Sequence, residues 1–408
     1  VKNKLLFILL ISGFWSCKEK GDCTSTRTTL VNTPVIHPFS EIRDSVRFLP
    51  AREMEDPGKI LVKGTILFVS EIKKGVHIIE NSDPTNPVFL SFLQIPGNGD
   101  LAIYQNRLYA DSYSDLISFD ITNLNDIKEV ERAQQVFKSG WFNGKWWSVQ
   151  DGGLYFGEKI EKYVTEIVNC DEPEDLIAIE DPAPISALEH AKTAPRFAVQ
   201  DKYLYTINRE VLDIFDLDKT PKLKAINSAS IGSVNFSFTS FQNKLILDYN
   251  YYMWIFDNTN PLTTRMISIL DSMSMCDKVV VQNDIAYVSE RTGTICGGNQ
   301  NRLKLFDISD AAHPRFMKKC PMDSPRALSI DFPILYICEG INGFKVFDVS
   351  DTAAIDQHLL SHEKDIQANN VFVSGKTVII TAADGLYQLD ATDPKNLRRL
   401  SKITFKKG

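Results

Sequence analysis

The chain is poor in the residues on which hydrolytic and metal chemistry usually rest. Six histidines are spread over 408 residues. The pair His358 and His362 has Leu359 where a zinc protease places its general-base Glu. There is no nucleophile elbow to support a Ser-His-Asp site, and Gly297-Gly298 breaks a loop without the pattern of a phosphate-binding loop. A net charge of −7 argues against nucleic acid as a partner. No stretch carries a long 3.6-residue apolar period, which excludes a helical bundle. Beyond the first eleven residues no run is apolar enough to cross a bilayer as a helix. These absences move the expectation from catalysis toward binding.

What the chain does have is a pentapeptide of the form apolar-x-apolar-apolar-acid, repeated eight times. The copies end at Glu80, Asp120, Glu158, Asp216, Asp257, Asp307, Asp348 and Asp390, so the steps are 40, 38, 58, 41, 50, 41 and 42 residues. A fixed period near forty marks a repeat architecture. Around each copy the sequence reads as four short strands, for example Leu101-Ala102-Ile103-Tyr104, a turn, Arg107-Leu108-Tyr109-Ala110, the pentapeptide, and a weaker outer strand. Turns such as Asn81-Ser82-Asp83-Pro84 and Thr392-Asp393-Pro394 follow the pentapeptide, and their Asp, Asn and Pro residues suit tight reversals. The anchor acids are read the same way, as carboxylates that accept N–H groups from the following turn.

A four-stranded unit at this period builds a blade, and radial repetition of blades makes a β-propeller with only short exposed edges. The expectation is an all-β fold of eight four-stranded blades, with seven as the alternative if the third unit is incomplete. An open solenoid is disfavoured because neither end carries a polar cap. From about Ser45 to the C-terminus the chain resembles the LVIVD-repeat family of Bacteroidota propeller lipoproteins. The resemblance is carried by Pro57-Gly58-Lys59-Ile60, by the Gly75 to Pro87 stretch, by Gly97-Asn98-Gly99-Asp100-Leu101-Ala102 and by Asn342-Gly343-Phe344-Lys345-Val346-Phe347-Asp348. It implies a propeller and an envelope address, and no established activity.

Lys2 and Lys4 precede the short apolar run Leu5 to Ile11, the right length for a signal-peptide core. The run leads to Ser16-Cys17, which resembles a bacterial lipobox. Residues 1–16 are read as a lipoprotein signal, Cys17 as the lipidated residue, 17–44 as a flexible tether and 45–408 as the propeller. Two or three acyl chains on Cys17 would anchor the chain stably to a membrane, where one would bind only marginally. The expected address is the outer membrane, with the leaflet open.

Three groups of residues are candidates for function. Four of the other cysteines, Cys276, Cys296, Cys320 and Cys338, map to one rim between the sixth and seventh units. Disulfides, free thiols and a metal site are all open readings there, in an envelope that favours oxidation. Acids at or just after the second strand, among them Glu71, Asp111, Asp248, Glu290 and Glu339, make weak candidates for a Ca²⁺ site, although acids also simply suit the turn. Asp100, Trp141, Arg196, Asn235, Asp277, Arg326 and Asn370 stand at the starts of the inner strands and are expected near the channel mouth, as a site for a polar or glycan-like ligand or a protein loop. The long third and sixth units carry insertions at about Asp171 to Ala194 and Glu290 to Asn301, where loops on a rigid scaffold place specificity. The composite expectation is a binding or interaction scaffold. An envelope-carbohydrate hydrolase or lyase with its site in the channel, and a purely structural protein, are the alternatives.

Overall fold

The computed structural model describes residues 24–142, 145–169, 196–208, 211–219, 223–231, 236–249, 252–270, 278–293 and 299–406. The chain divides into two compact units, residues 36–157 with 184–408, and residues 1–35 with 158–183.

In the larger unit the repeat becomes structure through the burial of two sheet faces. Outside the third repeat, the second and third strands are buried over most of their described length, as in Ile66–Glu71 and Gly75–Glu80 of the first sheet. A sheet packed on both faces needs near-continuous apolar strands, which is what the pentapeptide supplies. The outer strands, such as Val88–Gln94 and Arg315–Pro321, are more exposed. Among the described residues there are eight sheets, each of four strands except the first, where Arg47–Pro50 pairs with Val88–Gln94 as a fifth strand. The fold is a β-propeller.

The order of the sheets departs from simple succession. The inner strand of the second sheet, Leu101–Tyr104, packs against Pro57–Lys63 of the first and against Phe197–Gln200 of the fourth. From there the inner strands follow in sequence through Phe236–Phe241, Lys278–Gln282, Leu328–Asp331 and Ala368–Ser374. The third sheet therefore does not separate the second from the fourth. The second and fourth are also joined by Tyr104 Oη donating to Asp218 at 2.9 Å and by the Phe197 N–H donating to Asp100 at 3.0 Å. Between the eighth and first sheets Ile379 and Leu386 pack with Ile60, Leu67, Val69 and Ile79. Across the same junction Asn81 and Gln388 exchange two amide hydrogen bonds, of 2.9 and 2.7 Å.

The anchor acids explain why the third unit is different. In the other seven units the carboxylate accepts the N–H two residues on: Glu80 from Ser82, Asp120 from Thr122, Asp216 from Asp218, Asp257 from Thr259, Asp307 from Ser309, Asp348 from Ser350 and Asp390 from Thr392. That bond starts the reversal into the outer strand. The outer strand of each of these seven sheets then carries a β-bulge opposite the end of its pentapeptide, which adds local twist. Glu158 is followed by Lys159-Ile160-Glu161 in place of a turn sequence, and the strand Gly153–Asn169 runs on without reversing. Its sheet takes the N-terminal strand Thr24–Pro38 as its outer member.

Residues 24–44, expected as a tether, are thus structured. The β-branched run of Thr, Val and Ile suits a strand, and the helix Phe39–Arg43 that follows brings Arg43 to Asp115 at 2.8 Å. In the smaller unit the described residues, 24–35 and 158–169, pair as a ribbon in which Thr28 and Thr165 share a hydrogen bond of 3.0 Å. Cys17, Cys23 and Cys170 lie outside the described residues.

Two outcomes test this architecture. Leu386→Ala, at the junction of the eighth and first sheets, is expected to cost about 2–5 kcal/mol in urea unfolding, because the fully buried side chain leaves a cavity in a shared core. The carboxyls of Asp307 and Asp390 are held at about 2 by Ser309 and Thr392, with Arg315 and Arg398 adding to it. A carboxyl depressed on folding contributes stability above its unfolded value near 3.9, and the contribution is lost as pH falls through about 2. Acid titration by circular dichroism should therefore show Asp307→Asn and Asp390→Asn each flattening the pH dependence of stability between about 4 and 2. Unchanged profiles would show that these anchors contribute nothing.

Candidate functional site

Four of the acids at the ends of the second strands, Glu71, Asp111, Glu290 and Glu339, are buried, and each is met by a cation. Glu71 accepts from His77 Nε2 at 2.6 Å and from Arg52 at 3.2 Å, with Lys74 at 3.1 Å. Glu290 pairs with Arg302 and, at 2.9 Å, with Lys304. Glu339 pairs with Lys345 at 2.6 Å. Burial pushes the Glu71 carboxyl up, but the bonds from His77 and Lys74 outweigh it and hold the group below its ordinary value. These carboxylates face separate cations, and among the described residues no three His, Cys, Asp or Glu side chains converge as metal ligands. The side chain of Asp248 lies outside the described residues.

A sequence signal for these pairs was present and was missed. His77, Lys304 and Lys345 each occupy the second place of a pentapeptide, and they do so in the units whose second strand ends in Glu71, Glu290 and Glu339. The antiparallel register sets Lys345 opposite Ile337 and Lys304 opposite Val288, two positions from the acid on the neighbouring strand. Residues two apart share a face, so the cation reaches the acid diagonally.

Asp111 is satisfied differently, and it brings two of the expected channel residues together. Arg196 contacts Asp111 at 3.2 Å and donates to the carbonyls of Tyr113 at 3.1 Å and Ser139 at 2.9 Å. Its guanidinium lies 4.1 Å from the Phe137 ring centroid and 5.1 Å from that of Trp147. Asp100 accepts from Lys59 Nζ at 2.7 Å and from the N–H groups of Arg196 and Phe197, at 2.6 and 3.0 Å. Burial pushes the Asp111 carboxyl up and the Arg196 guanidinium down, against their mutual attraction. Asp100 and Arg196 thus fasten the second, third and fourth sheets to one another. Trp147 is buried in the same core and Trp146 is half-buried on the opposite strand face.

Of the remaining expected mouth residues, the side chains of Arg326 and Asn370 are described. Arg326 donates to Asn369 Oδ1 at 2.8 Å. The exposed Asn370 caps its own strand by accepting the Val371 N–H at 2.9 Å. Asn235, Asp277 and the Trp141 side chain lie outside the described residues, as does the insertion from Asp171 to Ala194. Of the expected cysteine cluster, Cys320 and Cys338 are described, and they lie in separate cores. Cys320 lies in the core that contains Tyr287 and Leu335, and Cys338 in the core that contains Val378 and Ile380. Both are buried free thiols raised by burial. Cys276 and Cys296 lie outside the described residues.

Comparison with models of known protein families gives no match, and no curated protein matches the chain. Solved structures similar to it include Hsv2 of Kluyveromyces lactis, with 11% identity and a TM-score of 0.48 over 85% of this chain and 98% of that one. BamB from Moraxella catarrhalis is similar at 9% identity and a TM-score of 0.48, over 90% of this chain and 96% of that one. The computationally designed Ika8 protein is similar at 9% identity and a TM-score of 0.46, over 88% and 98%. Likenesses at this level carry nothing about ligand or partner.

Removing the Arg196 side chain leaves Asp111 buried without its counter-charge. Arg196→Ala is expected to cost about 3–5 kcal/mol in chemical denaturation, and the double change with Asp111→Asn to recover a substantial part of it. Simple additivity of the two changes would mean that the pair is not coupled.

Proposed function

We propose that the protein is a lipid-anchored cell-envelope β-propeller that acts as an interaction scaffold for a protein or glycan partner. One observation carries the reading. On the rim of the fifth, sixth and seventh sheets, Leu262, Met266, Ile269, Phe316, Met317 and Leu359 are between 42% and 56% exposed. Isolated exposed apolar residues are ordinary, but large ones gathered on the outer strands of successive sheets are what partner surfaces use. The sheets beneath are locked by buried ion pairs and shared cores, which suits a rigid platform.

The envelope address and the lipid anchor rest on the sequence: the apolar run from Leu5 to Ile11, Cys17, and the resemblance of the repeats to the LVIVD pentapeptide. The outer membrane is the proposed site, with the propeller held to it through Cys17.

A photo-crosslinking residue placed at Ile269 or Phe316 in the native envelope should give a discrete adduct, and one placed at Glu129 on the second sheet should not. Cys17→Ala should release the protein from the membrane fraction. The absence of any adduct, or equal adducts from all three positions, would overturn the proposed surface.

A further inference from the structure

The outer strands carry a rule of their own. In four sheets the residue opposite the third place of the pentapeptide, namely Glu131, Asn227, Ser268 or Lys318, reaches the sheet that follows in space. It bonds to the turn after that sheet's anchor acid. Glu131 of the second sheet accepts the Leu223 N–H of the fourth. Asn227 donates to the Leu262 carbonyl at 3.0 Å, Ser268 to that of Ala311 at 2.6 Å, and Lys318 to that of Ala353. These bonds join the fourth sheet to the fifth, the fifth to the sixth and the sixth to the seventh.

The same place in the seventh, eighth and first sheets holds Ser361, Ser401 and Ser91. Each of these hydroxyls is buried and has no partner among the described residues. Ser268 makes the bond with the same side chain, so the length of serine is not the cause. Buried hydroxyls without a partner are uncommon and costly. Two of the three junctions open into cavities. One of about 340 Å³ lies between Ser91 and the turn residues Leu124 and Asn125 of the second sheet. The larger, of about 860 Å³, lies between Ser401 and the turn of the first sheet at Thr85, Asn86 and Pro87. Ligand sites usually have volumes of about 300–1,000 Å³.

The larger cavity has the surroundings of a strand site. The fifth strand of the first sheet, Arg47–Pro50, pairs with residues 91–94 of the outer strand and stops there. The outer edge of residues 88–90 therefore has no strand beside it among the described residues. After Pro50 the chain turns instead toward the eighth sheet, where the Lys406 N–H donates to the Met54 carbonyl at 2.8 Å. Arg398–Thr404 is likewise the outermost strand of that sheet. Met54, Phe89, Ile403 and Phe405 line the cavity from the core shared by the two sheets. Of the charged residues around it, Arg52, Lys402 and Lys406 are cations and Glu53 is an acid. Arg52 and Lys402 are paired with Glu71 and Asp384, while Lys406 meets Glu53 only at 3.8 Å. Open edge backbone, an apolar floor and a cationic wall fit an extended chain whose side chains alternate between apolar and acidic.

We propose that this cavity seats an extended, acidic peptide segment of a protein partner, added as a strand beside residues 88–90, with Ser401 donating to one of its carbonyls. The proposal rests on the interaction-scaffold reading and narrows the partner to a protein. The surface on the fifth, sixth and seventh sheets is separate from it.

The test uses the purified Cys17→Ala protein, without membrane or native partner, so its failure and that of the crosslinking experiment are separable. A random dodecapeptide library displayed on phage is selected on this protein, and the enriched sequences are made as labelled peptides for fluorescence anisotropy. Enriched peptides should alternate apolar and acidic residues and bind saturably. Affinity should fall by about tenfold or more in Asn86→Trp, an exposed position from which the indole fills the cavity. In Lys406→Gln it should fall by about two- to fivefold, the loss of an exposed ion pair. Phe316→Ala, on the sixth sheet, should leave it unchanged. All three positions are exposed, and circular dichroism checks that each variant is folded. No enriched peptide, or peptides that bind folded Asn86→Trp undiminished, overturns the site. Binding lost in Phe316→Ala instead assigns the peptides to the other surface and also overturns it. Self-association of the parent protein that Asn86→Trp abolishes would put a second copy in the cavity and overturn the peptide assignment.

Discussion

A four-stranded sheet with apolar side chains on both faces has to be covered twice. That constraint shapes the larger unit. The pentapeptide puts buried residues on both sides of the third strand, as in Val76, Ile78 and Ile79, and neighbouring sheets cover one another. The shared cores follow from this. Phe68 and Val76 of the first sheet pack with Leu101 and Leu108 of the second, and Tyr336 and Phe344 of the seventh pack with Val378 and Ile380 of the eighth. Apolar contact of this kind is non-directional. The geometry is fixed by the polar groups laid over it, such as the Asn81–Gln388 exchange and the pair of Asn258 with Tyr205 at 2.7 Å.

The third repeat shows what happens when one of these instructions is missing. Its pentapeptide has the apolar pattern, and Trp147 and Leu154 are buried with Tyr109 and Phe197. It lacks the turn that begins at an anchor acid, so its strand continues and a distant segment fills the outer place. The second and fourth sheets then meet directly. Asp100 and Arg196, which look like ligand-binding residues in the sequence, are instead drawn into the junction. Buried ion pairs of this kind add little net stability over apolar packing, yet breaking one is costly, so their effect is to specify which sheets meet.

Much of this was legible in the sequence. The eight repeats, the strand pattern within them and the part played by the anchor acids all follow from local spacing, because strand alternation and turn chemistry act over a few residues. The displaced third sheet was not read, although the absence of Asp, Asn or Pro after Glu158 was there to be seen. The partners of the second-strand acids were not read, because they lie across a strand register. Only Glu71 with His77, Glu290 with Lys304 and Glu339 with Lys345, compared side by side, disclose the rule. Arg326 was singled out as a mouth residue. Its bond to Asn369 of the neighbouring sheet is one that no local pattern reveals.

The direct contact of the second and fourth sheets is the central structural claim, and one distance decides it. Spin labels at Tyr104→Cys and Asp218→Cys, in a background with the native cysteines replaced, would report the separation of two residues whose side chains are hydrogen-bonded at 2.9 Å. The account predicts a single short distance, limited by the label arms. A separation longer by roughly 10 Å, the spacing of one packed sheet, would place the third sheet between them and contradict it.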